Sequence, residues 1–160
     1  MAVEGFGMEV MAYDPYFPKT TLVPIRKASQ SEVLQQADFV SMHMPLMPST
    51  RGSFGRQQFR LMKPTASFIN CCRGEVLVEE DLITALQEGD ILGAALDVVR
   101  EEPIPTDHPF VSMPNVILTP HTAGATRQAA ARCCAQACEG IVDVIQGRIP
   151  KWPATFRNGH

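Results

Sequence analysis

Three residues of unlike chemistry follow short apolar runs in the chain. Arg73 comes after Asn70-Cys71-Cys72, Glu102 after Leu96-Asp97-Val98, and His121 after Thr119-Pro120. Arg73 precedes Glu102 by 29 positions, and Glu102 precedes His121 by 19. In an open α/β sheet ligands sit beyond the carboxyl ends of the strands, so three such ends would bring a cation, a carboxylate and an imidazole into one crevice. That set suits redox chemistry on a 2-oxo acid. The guanidinium can hold a carboxylate in a fork. The imidazole can trade a proton with a carbonyl oxygen, while the carboxylate orients the ring and holds its proton. Each residue alone has a plainer reading: a surface ion-pair Arg, a loop His, a solvated Glu in an acidic run. The joint pattern carries the chemistry.

The elements that would position these residues are legible as apolar runs and breakers. Strands are expected at residues 8–13, 39–42, 66–69, 92–98 and 116–118, with a short edge strand at 22–25, where Pro24 suits an edge. A short helix at 32–37 can be capped by Ser29 or Ser31. Residues 54–62 read as helix, stopped by Lys63-Pro64. Residues 78–88 form an amphipathic helix with Leu82, Ala85 and Leu86 on one face and Gly89 as its C-cap. A long helix rich in Ala and Cys spans 125–146 and ends at Gly147. Alternating strands and helices predict an α/β fold whose mostly parallel sheet is covered on both faces.

Composition excludes several classes. At 160 residues, 45% apolar and 19% charged, the chain has room for one domain with a real core. A net charge of −3 argues against a nucleic-acid surface. No apolar run approaches the roughly 20 residues that span a bilayer, and the first residues carry no secretory pattern. The five cysteines, Cys71, Cys72, Cys133, Cys134 and Cys138, are odd in number and lack a Cys-x-x-Cys pair. They make a poor disulfide framework or zinc site, so free thiols in a reducing, cytoplasmic setting and no bound metal are expected.

Together these motifs resemble the D-isomer-specific 2-hydroxyacid dehydrogenase family, which includes phosphoglycerate dehydrogenases and glyoxylate/hydroxypyruvate reductases. The resemblance runs from about Gly5 to Gly147. It implies a Rossmann-type doubly wound parallel sheet, NAD as cofactor, and Arg73, Glu102 and His121 as the catalytic triad acting on a small 2-oxo or 2-hydroxy acid. Asp14, at the end of its strand, would accept hydrogen bonds from the adenosine ribose diol and repel the 2′-phosphate of NADP. Met44, in the turn after residues 39–42, lines the nicotinamide side in similar proteins. Asp97 lies near the carboxamide there, Cys71, Cys72 and Arg73 form the neighbouring wall, and Gly124 after His121 lets backbone approach the ring. The resemblance also implies a homodimer.

One departure is large. The Gly-x-Gly-x-x-Gly phosphate loop, the first strand and most of the substrate domain lack counterparts in the chain. The expectation is therefore a C-terminal portion, with residues 1–147 as a truncated nucleotide-binding domain and 148–160 as a tail. The first strand would lie between the strand ending at Asp14 and the strand ending at Met42, so its loss would leave two open edges unless the pairing shifts. Two other readings are an NAD-sensing protein-binding module of the corepressor type and an inactive fragment.

Overall fold

The coordinates are a computed structural model, which describes residues 5–16 and 25–153. They form two compact units, Met1–His121 and Thr122–His160. In the first, β1 (Met11–Ala12) and β2 (Arg26–Lys27) make a two-stranded parallel sheet. Helix α1 (Gln30–Gln36) leads to β3 (Phe39–Met42), and α2 (Arg56–Phe59) leads to β4 (Ser67–Asn70). A 3₁₀ turn (Gly74–Val76) and α3 (Glu79–Glu88) lead to β5 (Gly93–Leu96), and α4 (Pro109–Ser112) to β6 (Val116–Leu118). Strands β3, β4, β5 and β6 pair in that order, all parallel.

The register decides where the site can be. Asn70 stands opposite Leu96, and Leu96 opposite Leu118. The carboxyl ends of β4, β5 and β6 are therefore flush. The two sheets do not pair with each other: among the described residues β1 bonds to β2 and β3 bonds to β4. The gap expected between β1 and β3 is not closed by a shifted pairing.

One sheet face makes the core. Val40, Met42, Phe68, Ala94 and Leu96 alternate inward at the period of two that strands impose. Phe54, Phe59 and Phe68 pack there with ring centroids 5.0 to 5.3 Å apart, a spacing aromatic pairs favour. The same face takes Leu82, Ala85 and Leu86 from α3. The opposite face is less covered than the sequence leads one to expect. Phe39 and Ile117 are more than half exposed on it.

Several elements begin and end for readable reasons. Ser29 caps α1 in a capping box: its hydroxyl accepts the Glu32 N–H at 3.2 Å, and the Glu32 carboxylate accepts the Ser29 N–H at 2.8 Å. Gly89 closes α3 at φ +76°, a left-handed conformation that suits glycine. The helix expected at 54–62 shortens to Arg56–Phe59, because Phe54 bridges to Leu77 as extended chain. The strand expected at 8–13 shortens to two residues, and the edge strand expected at 22–25 falls largely outside the described residues, just before β2. Helix α4 was not foreseen, although Pro109 at its first position is a start signal.

The second unit holds α5 (Arg127–Ile145), capped by Thr126, whose hydroxyl accepts the Ala129 N–H at 3.0 Å. It gives way to Gly147 at φ +70°. No residue of α5 is buried.

Candidate active site

The site begins with backbone beyond the strand ends. The Asp97 N–H donates to the Asn70 carbonyl at 3.0 Å, and the Thr119 N–H to the Leu96 carbonyl at 3.0 Å. The His121 N–H then donates to the Asp97 carbonyl at 2.9 Å. The ladder thus runs past the last strand residues and sets Arg73, Asp97 and His121 on one edge of the sheet.

Asn70 shapes the turn that carries Arg73. It is fully buried. Its side-chain oxygen accepts the Cys72 N–H at 3.0 Å, and its amide donates to the Arg73 carbonyl at 3.1 Å. Arg73 is exposed, and its guanidinium donates to the Cys72 carbonyl at 2.6 Å. Cys71 is exposed, and its thiol is pushed above the ordinary value, first by burial of the sulfur and then by the charges of Asp97 and Cys72. A raised value keeps it a thiol near neutral pH and a poor nucleophile. Cys72 is half-buried, and its thiol contacts the Asn70 side-chain oxygen at 3.0 Å.

His121 and Glu102 meet directly, with Nδ1 2.7 Å from the Glu102 carboxylate. An ionised carboxylate only accepts, so Nδ1 carries the proton of that bond and Nε2 is left for a reacting group. The other Glu102 oxygen accepts the Val99 N–H at 3.2 Å. These bonds hold the Glu102 carboxyl below its ordinary value, the His121 contact most of all, then the Val99 N–H, while desolvation and Asp97 oppose them. His121 has φ +54°, rare for a residue with a side chain. Such strain gathers where the surroundings over-determine a geometry. Asp97 is buried, and the Thr119 hydroxyl donates to it at 2.5 Å.

The remaining sequence candidates lie apart or serve elsewhere. Asp14 lines an open cleft of about 430 Å³ with Tyr13, Lys27, Ala28, Ser29 and Glu32. Its carboxylate accepts the Tyr16 N–H at 2.7 Å, which holds it at the end of β1. Met44 is half-buried against the hydrophobic core, 3.8 Å from the Ser53 hydroxyl. Gly124 belongs to the second unit, with nothing within 4 Å of where a Cβ would stand. Asn70, Glu79 and Thr119 were not singled out in the sequence as site residues. A polar residue ending an apolar strand run was the available signal for Asn70 and Thr119. Among the described residues no group of three or more His, Cys, Asp or Glu could hold a metal ion.

Residues 1–123 match the family described as D-isomer specific 2-hydroxyacid dehydrogenase, NAD binding domain. The chain belongs to this family. Among curated relatives it is 40% identical, over 149 residues, to the D-3-phosphoglycerate dehydrogenase of Methanocaldococcus jannaschii, covering 91% of this chain and 28% of that one. It is 39% identical to the glyoxylate reductase of Korarchaeum cryptofilum, covering 92% of this chain and 45% of the relative. The solved D-lactate dehydrogenase with NAD⁺ from Lactobacillus jensenii superposes with a TM-score of 0.85 at 31% identity, over 93% of this chain and 49% of that one. The fold is thus the Rossmann-like NAD-binding domain of the 2-hydroxyacid dehydrogenases, and the chain spans less than half the length of each of these proteins.

Proposed function

We propose that this chain supplies the nucleotide-binding and proton-handling part of an NAD(H)-dependent oxidoreductase that interconverts 2-hydroxy and 2-oxo acids. The observation that carries the reading is the 2.7 Å contact between His121 Nδ1 and Glu102, on the sheet edge that also holds Arg73 and Asp97.

The donor set fits the cofactor. The Asp14 carboxylate at the end of β1, with a second carboxylate, Glu32, lining the same cleft, suits a ribose diol and disfavours a 2′-phosphate. NAD(H), when bound, supplies or accepts the hydride. The chain's own residues do the rest. Glu102 holds the Nδ1 proton and orients the ring, so that Nε2 delivers a proton to the carbonyl oxygen in reduction and takes the hydroxyl proton in oxidation. Arg73 leaves the Cys72 carbonyl to grip the substrate carboxylate, and its charge polarises the adjacent carbonyl. Asp97, fixed by Thr119, faces the carboxamide end of the cofactor. Cys71, Cys72 and Met44 line the wall beside it.

The nucleotide-binding part is read as residues 1–147 and the following residues as a tail. The whole protein is read as cytoplasmic and as a homodimer, the dimer being supported by the exposed Ile141, Val144 and Ile145 of α5. Among the described residues no helix is long and apolar enough to cross a membrane. Light scattering at micromolar concentration should give a dimer mass, and a monomer mass would count against that assembly.

Steady-state turnover of glyoxylate and hydroxypyruvate by the whole protein tests the proposal. NADH should serve better than NADPH, and His121→Ala should lower kcat by about 10²–10⁴-fold, the usual share of a general acid–base group. Unchanged turnover in that variant would remove His121 from the mechanism.

A further inference from the structure

Glu79 is the first residue of α3, where an acid ordinarily sits in water near the positive end of the helix. Glu80 and Asp81, its neighbours in that turn, are more exposed. Glu79 is instead 3% exposed. A buried carboxylate persists only if it is paired and hydrogen-bonded, and the partners of this one lie outside the helix. One oxygen accepts the Arg100 backbone N–H at 2.6 Å. The other faces Arg100 Nε at 3.7 Å and His108 Nε2 at 3.8 Å. His108 Nδ1 accepts the Phe110 N–H, so the proton of the neutral ring sits on Nε2, towards Glu79. Arg100 also reaches Glu80 at 2.9 Å.

Arg100 lies inside the turn that presents Glu102. The preceding N–H, of Val99, donates to Glu102, and Glu102 meets His121. The Val99–Arg100 peptide unit is closely approached by Gly74, next to Arg73. A Cβ on Gly74 would stand 2.1 Å from the Val99 carbonyl carbon and 2.4 Å from the Arg100 nitrogen. The turn 99–102 is therefore met at its Val99–Arg100 peptide both by the backbone of one strand-end loop and by a buried carboxylate.

We propose that Glu79 is a positioning residue whose buried carboxylate fixes the turn 99–102 and so seats Glu102 against His121. The inference rests on the reading of Glu102 and His121 as the proton-handling pair. It explains why an acid is buried at a helix start, and why Gly74 and Glu79 converge on the single peptide unit that joins Val99 to Arg100. The charged groups that act on Glu102, on Arg100 or on Glu79 are Asp97, Glu79, Glu80, Arg100, Glu101 and His108. Of these, Glu79 bonds the backbone of the turn itself.

The test is an NMR titration of the Glu102 side-chain carbon in the 160-residue chain, with amide exchange at Arg100 measured alongside. Glu79→Leu keeps the bulk and removes the acceptor. It should raise the Glu102 midpoint towards the ordinary glutamate value and speed Arg100 exchange by about tenfold or more, the factor expected for loss of one charge-assisted bond. Glu79→Gln retains an acceptor oxygen and should stay near wild type. So should Arg100→Ala, which keeps the N–H. A folded Glu79→Leu, judged by unchanged Phe68 and Leu82 signals, with both readouts at wild-type values would overturn the proposal. Should that variant not fold, Glu79→Asp, one methylene shorter, should shift both readouts part of the way, and no shift in it overturns the proposal equally. His121→Gln separates the two ideas. If it leaves the Glu102 midpoint unchanged, the pair reading fails, and Arg100 exchange in the Glu79 variants still decides the clamp.

Discussion

The contact between Glu102 and His121 gives the site a pH dependence of defined sign. The Glu102 carboxyl is held below the ordinary value of 4.5, mainly by His121. A depressed carboxylate contributes stability that is fully present above its unfolded-state value and is lost as pH falls through the lowered one. Both side chains are more than a third exposed, so solvent screens the contribution and keeps it small. His121→Ala should therefore change urea stability little at pH 3 and lower it slightly at pH 6. A larger loss at pH 3 than at pH 6 would reverse the assignment. Asp14 makes a separate prediction: Asp14→Ala should narrow the preference for NADH over NADPH, read as the ratio of kcat/KM, and an unchanged ratio would take Asp14 out of cofactor choice. Arg73, Glu102 and His121 were legible because three chemically distinct residues each followed an apolar run. Asn70 and Glu79 were not, because their work depends on what the folded backbone brings to them. Glu79 in particular reads as one more solvated acid in the run Glu79-Glu80-Asp81 until its burial is seen.

The helices and strands divide in the same way between local and tertiary causes. The capping box at Ser29 and Glu32 is local; the sequence offered Ser29 as a cap beside Ser31, but the reciprocal bond from Glu32 was not read from it. Ser29→Ala should cost about 1 kcal/mol, seen as a shifted urea midpoint with an unchanged slope. The aromatic trio of Phe54, Phe59 and Phe68 is tertiary, joining the loop before α2, α2 itself and β4. Phe59 is fully buried, and Phe59→Ala should cost about 3–5 kcal/mol, the range for truncating a core aromatic. A cost below about 0.5 kcal/mol, the scale of an ordinary surface change, would mean the trio is not the core it looks to be. Helix α2 shows why boundaries escaped. Residues 54–62 have helical composition, but Phe54 is claimed by a bridge to Leu77 that no local pattern reveals. Strand β1 shrank for a related reason: it pairs on one side, with β2, over two residues.

At the scale of the molecule, the parallel order β3-β4-β5-β6 aligns three carboxyl ends and so creates the site. The α/β class and the strand sequence were readable from alternating runs, and so was the interruption between β1 and β3, through the absent glycine loop. The partial exposure of the outer sheet face at Phe39 and Ile117 was not, since coverage depends on tertiary packing. Local stability should follow this division. Hydrogen exchange should be slowest at Phe68 and Leu96, inside the four-stranded sheet, and fast at Arg26 and Ala28, whose N–H groups bond across the two-residue pair. Equal protection in both sheets would show that they are stabilised as one.

The central claim is that hydride passes between a nicotinamide and C2 of a 2-oxo acid at the edge carrying Arg73, Glu102 and His121. Its most direct test is isotopic. The whole protein that carries this chain is incubated with glyoxylate and NADH doubly deuterated at C4, and the glycolate formed is examined by mass spectrometry. One deuterium at C2 of the product, with its rate of formation sharply reduced by His121→Ala, is the result expected. Glycolate without deuterium, or labelled glycolate formed as fast by the variant, would contradict the account.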